Sequence, residues 1–207
     1  MVNDFQNHFT EIDIKLCNTV VNKSYYDIIT REELLKIVKK LPNYSDAFIL
    51  LCLFEGIRGQ DCSEIRQIKL SDFDGNTLHL KGGRINGLSN HDRYINVSDE
   101  LVEFAKYADS EKEYIPAKDF TKSTELSDDE FIIKRTKRAA NCGVQPVFTR
   151  RLAEMFDLTI PSLIDKEESD SYRLNLNTIR NSGKIHFIKE RCKKLNISPE
   201  QYILSPR

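Results

Sequence analysis

The chain has 207 residues and a formal charge of −1, with 31 lysines and arginines against 32 aspartates and glutamates. Its length suits one domain of ordinary size with a short arm and leaves two full domains cramped. The longest apolar run, 47–54, is too short to span a bilayer, and no signal-peptide pattern opens the chain, so the sequence reads as soluble and cytoplasmic with no membrane partner.

Residues 1–27 are polar with scattered apolar positions (Phe5, Phe9, Ile12, Ile14, Leu16) and suit an arm or linker. Thr30-Arg31-Glu32-Glu33 is a capping box, and Leu34, Leu35, Ile37, Val38 and Leu41 mark one face of the helix it opens. Pro42 and Asn43 break that helix. Ser45 or Asp46 then caps a second one that is apolar all round over 47–54, as a helix at the domain centre is. Arg58 follows its end, where rigid packing can hold a charge in place.

Residues 61–70 continue as helix or turn with Ile65 and Ile68 inward, and 72–76 is a turn. The stretch 77–80 alternates as a strand, Lys81-Gly82-Gly83 forms a tip, and 93–97 returns as its partner; the connection is long for a hairpin. Ser98 caps a further helix with Asp99 and Glu100 in its first turn. An irregular connection is expected over 109–129, helices over 131–140 and 146–156, and a loop at 167–171. A long helix is expected over 178–195, and Ser198-Pro199-Glu200-Gln201 opens a short one. The fold class is α+β, mainly α-helical with a small antiparallel β-hairpin or sheet.

Charge is unevenly spread along the chain. Residues 131–151 hold six bases (Lys134, Arg135, Lys137, Arg138, Arg150, Arg151) and no acid, and 173–194 hold seven bases against Glu190, whereas 99–130 hold eleven acids against four lysines. Such segregation predicts one positive and one negative face, the footprint of a nucleic-acid binder, unless the clusters are merely solvated helix faces. The five cysteines, at 17, 52, 62, 142 and 192, form no Cys-x-x-Cys pair, and His79, His91 and His186 share no metal-ligand spacing. Reduced thiols are expected, with no metal and no small-molecule cofactor.

Several motifs fall in one order. Glu55-Gly56-Ile57-Arg58 closes the core helix, and Glu64-Ile65 leads to Ser71-Asp72-Phe73. Leu80-Lys81-Gly82-Gly83 tips the hairpin, and Leu176-Asn177-Thr178-Ile179-Arg180 opens the last long helix. In this order, from about residue 28 to the C-terminus, the chain resembles the catalytic domain of tyrosine recombinases, the phage integrase family. Arg58, Lys81, Asn177 and Arg180 fall at positions of that family's catalytic groups. Three departures accompany the likeness. About three residues are added between Arg58 and the Ser71-Asp72 pair, close to one helical turn. Asn177 stands where the family usually has histidine. The family's tyrosine segment, due near Leu204 and Ser205, is missing from 28–207, so no catalytic set is intact. Tyr202 lies about ten residues too early and reads as a packing residue.

The resemblance implies a DNA-binding protein that grips the phosphate backbone without its nucleophile, of the kind similar to integrase-like repressors of temperate phages. The implied contacts to double-stranded DNA are Arg58, Lys81, Arg84, Lys134, Arg135, Lys137, Arg138, Arg150, Arg151, Arg180 and Lys184, in a nucleoid-associated protein that forms a homo-oligomer if it reads a two-fold site. The bland readings are a salt bridge of Arg58 with Asp61 or Glu64, an exposed hairpin lysine, and an exposed helix-start arginine. Two further functions stay open. One is an active site-specific recombinase whose tyrosine comes from beyond these residues or in trans, acting in DNA integration and recombination. The other is a protein-interaction module on the same fold.

Overall fold

Helix α1 (Arg31–Lys40) starts at a complete capping box: Thr30 accepts the Glu33 amide, and the Glu33 carboxylate accepts the Thr30 amide at 2.7 Å. Its Leu34, Ile37 and Val38 are buried against α2 (Tyr44–Phe54). Every residue of α2 from Ser45 onward is buried, which is why its sequence carries no polar face. These positions come from a computed structural model that describes residues 28–82, 84–85, 88–89, 92–137, 144–163 and 174–204. The arm expected over 1–27, the loop at 167–171, His91, Cys17, Cys142 and Arg138 lie outside the described residues.

The cap of α2 differs from expectation. Neither Ser45 nor Asp46 caps it; the carboxylate of Glu111, distant in sequence, accepts the Tyr44 and Ser45 amides at 2.5 and 3.2 Å. Ser45 and Asp46 are inside the protein and serve Arg151 instead. At its other end α2 stops in a Schellman arrangement. The Ile57 amide donates to the Cys52 carbonyl at 2.8 Å and the Gly56 amide to that of Leu53, with Gly56 at φ +82°.

After the short helix α3 (Ser63–Gln67) come β1 (Phe73–Asp74) and β2 (Thr77–Leu80), then β3 (Arg84–Ile85), β4 (Leu88–Ser89) and β5 (Arg93–Asn96). The strands β1, β2 and β5 form an antiparallel sheet in that order, and Thr77 to Leu80 pair with Asn96 to Arg93, the hairpin read from the alternation of residues. Its long connection carries the small β3–β4 pair. Helix α4 (Asp99–Ser110), capped by Ser98, packs on α2. Within the expected irregular connection, β6 (Glu113–Tyr114) pairs with β7 (Thr124–Glu125).

No helix forms over 131–136. That segment bends at Ile132 and Ile133 between two isolated bridges, Phe131 to Lys69 and Thr136 to Leu126. Ile132, Ile133 and Lys134 are buried in succession, so the apolar run fills the core directly and lacks the spacing of one helix face. Helix α5 (Val144–Glu154) continues through a wide turn at Met155–Thr159 into α6 (Ile160–Leu163). Then come α7 (Leu176–Leu195) and α8 (Pro199–Leu204), the latter opened by a Ser198–Gln201 capping box.

α7 lies across the end of α2. A Cβ on Gly183 would sit 1.7 Å from the Phe54 carbonyl oxygen, so the crossing excludes any side chain there. Beside it, the Ile29 amide donates to Ser182 Oγ at 3.1 Å, tying α7 to the entry of α1. Gly183→Ala gains helix propensity but forces this crossing apart; the net expectation is a loss of about 2 kcal/mol or more, read as a lower urea midpoint.

Candidate nucleic-acid interface

Arg58 sits two residues past the Gly56 stop of α2, on a tightly coiled loop. Gly59, Asp61 and Cys62 have φ of +64°, +50° and +58°, and the last two lack glycine's freedom to adopt it. Between Arg58 and Ser71-Asp72 the chain thus takes left-handed positions at Asp61 and Cys62 before the helix α3 begins at Ser63. Glu64 pins the loop: its carboxylate accepts the Arg58 amide at 2.9 Å and its own amide donates to the Arg58 carbonyl.

The Arg58 side chain is half-buried, and its Nε is buried without a hydrogen-bond partner. The salt bridge weighed for it with Asp61 or Glu64 does not form, because Glu64 takes the guanidinium of Arg93 at 3.0 Å. Burial pushes the Cys62 thiol up, and the guanidiniums of Arg58 and then Arg66 pull it part-way back, which places both cations beside that thiol. Arg66 Nε is likewise buried and without a hydrogen-bond partner. Sequence reasoning missed Arg66; the signal was a base set between the inward Ile65 and Ile68.

Arg180 stands in the second turn of α7, whose start is capped by Asn175, accepting the Asn177 and Thr178 amides at 2.9 and 3.0 Å. Asn177 is exposed. Arg180 lies about one turn before the Gly183–Phe54 crossing and Arg58 four residues after Phe54, so the two residues flank one close contact in sequence. Arg180 is half-buried, and among the described residues no carboxylate forms an ion pair with it or with Arg58. A half-buried guanidinium without a counter-ion is costly, and an anion from outside relieves that cost. His186, one and a half turns on, packs its ring 5.5 Å from that of Phe54.

The hairpin lies next to this loop through the Glu64–Arg93 pair. At its tip Lys81 Nζ is 2.8 Å from Asp72 Oδ1. Asp92 accepts the Gly82 amide at 2.8 Å and bonds His79 at 3.0 Å, with His79 stacked on Tyr94. The side chain of Arg84 lies outside the described residues.

The sequence matches the protein-family model described as "MrpR, C-terminal catalytic domain" over residues 28–203. The chain belongs to the MrpR family. Its domain is therefore of the tyrosine-recombinase-like class, as the order of motifs implied. It is also 29% identical over 170 residues to the "SPbeta prophage-derived uncharacterized protein YopR" of Bacillus subtilis (strain 168), an overlap of 76% of this chain and 48% of that protein. The chain spans about half the length of the curated relative it matches.

Within this MrpR-family domain the 131–151 bases do not make a basic face. Arg151 is buried, its side chain 8% exposed, with Nε 3.1 Å from Asp46 Oδ1, its guanidinium bonded to Ser45 and lying 3.9 Å over the Tyr114 ring. Lys134 is buried and donates to the Asp109 carbonyl. Both leave the set of DNA contacts, since neither can reach a ligand without opening the core. Arg135 pairs with Asp129 and Lys137 with Glu125. The acidic and basic blocks that are separate in sequence thus face each other in space. Arg150 and Lys184 remain exposed. Among the described residues no His, Cys, Asp and Glu cluster suits a metal, and no helix is long and apolar enough to cross a membrane.

Arg151→Met leaves Asp46 buried with only Asn43 and Tyr114 beside it, and an expected loss of about 3 kcal/mol or more is measurable by denaturant unfolding. Glu55, at the end of α2, holds the Ser98 amide and hydroxyl; burial raises its pKa, more than those hydrogen bonds lower it. Protons therefore bind the folded state more readily than the unfolded one. The stability of the natural protein relative to Glu55→Gln is expected to fall as pH rises from the ordinary carboxylate range through the raised pKa, checked by unfolding across pH 4–8.

Proposed function

We propose that this protein binds double-stranded DNA, grips a backbone phosphate between Arg58 and Arg180 without cutting it, and acts as a phage-type transcriptional regulator, a repressor. The observation that carries the reading is that Arg58, four residues past Phe54, and Arg180, three residues before Gly183, are both half-buried and, among the described residues, ion-pair with no carboxylate. A guanidinium fork matches phosphate oxygens bidentately. Lys81, Arg84, Arg138, Arg150 and Lys184 are the outer contacts, with Arg66 behind Arg58.

Strand cleavage needs an in-line nucleophile, donors to the non-bridging oxygens and a proton source for the leaving oxygen. Asn177 donates hydrogen bonds but exchanges no proton near neutral pH, which supports binding over cutting. The prophage origin named for the relative supports a phage setting. A second reading, a site-specific recombinase that draws its tyrosine from beyond these residues or in trans, is favoured by the description of the family as a catalytic domain.

Sheared DNA of the source genome, bound and sequenced, is expected to yield a few discrete sites with every fragment intact. Arg58→Ala and Arg180→Ala are each expected to weaken binding about tenfold at fixed salt, followed by fluorescence anisotropy. A covalent adduct or nicked fragments support the recombinase; uniform or absent enrichment removes the repressor.

A further inference from the structure

Lys81 is already committed to a partner. Its ammonium lies 2.8 Å from Asp72 Oδ1, while Asp72 Oδ2 accepts the Lys69 amide at 2.9 Å. The two partners differ in freedom: the Asp72 side chain is 7% exposed and the Lys81 side chain 43%. Asp72 ends a tight turn, Leu70–Asp72, directly before β1, and β1 is paired to β2, the strand that leads to Lys81. The carboxylate is therefore fixed to the base of the hairpin, and only the lysine can leave. Glu130 and Asp92 add more distant negative charge around the same ammonium. Arg58 and Arg180, by contrast, have no such partner among the described residues.

We propose that Asp72 is an internal competitor of DNA phosphate for Lys81, a residue that sets how much this hairpin adds to binding; the inference rests on the DNA-binding reading above. A phosphate that recruits Lys81 must displace Asp72, and if the lysine stays, the fixed carboxylate repels the phosphate. In either case Asp72 weakens the backbone contact. Lys81 then trades one anion for another, so its engagement releases fewer counter-ions from DNA than that of a free lysine. The hairpin contributes to binding only where the backbone is brought close enough, by the arginines and by groove contacts, to outcompete a carboxylate already in place.

The test is a double-mutant cycle on the full chain with a bound genomic fragment, titrated over a series of salt concentrations. Asp72→Asn, which keeps an acceptor for the Lys69 amide, is expected to tighten binding about threefold to fivefold. It is also expected to steepen the salt dependence by about one ion. Lys81→Ala is expected to weaken binding in both backgrounds, and several-fold more in Asp72→Asn than in the natural protein. Asp72→Asn binding that is unchanged or weaker, or equal losses from Lys81→Ala in the two backgrounds, overturns the competitor role while leaving DNA binding intact. No binding by any variant at low salt removes the DNA reading itself and this inference with it. Thermal unfolding checks that Asp72→Asn folds. Acetylation of the unaltered protein, read by mass spectrometry, gives an arm that needs no variant: Lys81 is expected to react several-fold more slowly than the exposed Lys106, and equal rates overturn the pairing.

Discussion

The approach of Gly183 to the Phe54 carbonyl is the contact on which the rest of the domain depends. Phe54 closes a helix buried on all sides from Ser45 onward, and whatever crosses it there is fixed to the centre of the core. Because glycine lets α7 touch backbone, the first turns of α7 are held against the end of α2, from which the loop carrying Arg58 departs. Ser182, holding the Ile29 amide, fastens the same point to α1. A larger residue at 183 would lift α7 from the Phe54 carbonyl and shift Arg180 relative to the end of α2.

Electrostatics in this domain are decided by neighbours in space more than by blocks in sequence. The basic run after Phe131 folds back along the acidic run before it, so Arg135 and Lys137 are answered by Asp129 and Glu125. Exposed pairs of this kind add little stability. Their effect is to neutralise one flank, whereas Arg58 and Arg180 ion-pair with no carboxylate among the described residues. A net charge of −1 is then compatible with a local anion site.

What could be read from the sequence was what is determined locally. The Thr30 capping box, the Ser98 and Ser198 caps, the all-apolar core helix and the alternation of 77–80 against 93–96 each depend on residues within a few positions of one another, and each is present. The order of Arg58, Lys81 and Arg180 along those elements carried the family. What could not be read depends on partners far along the chain. Glu111 caps α2 from 66 residues away, and Arg151 leaves the surface because Asp46 waits 105 residues upstream in the core. The non-helical path of 131–136 is accompanied by bridges to Lys69 and Leu126, and no periodicity within the segment records them.

Glu64 joins two parts of the site that are otherwise separate loops. One carboxylate holds the Arg58 amide and the Arg93 guanidinium together, so the coil beneath Arg58 and the return strand of the hairpin behave as a lever with a shared pivot. The register of the hairpin at Arg93 and the backbone of Arg58 are therefore tied to one side chain, and a change of length or register in that strand would leave Glu64 to hold the Arg58 amide alone.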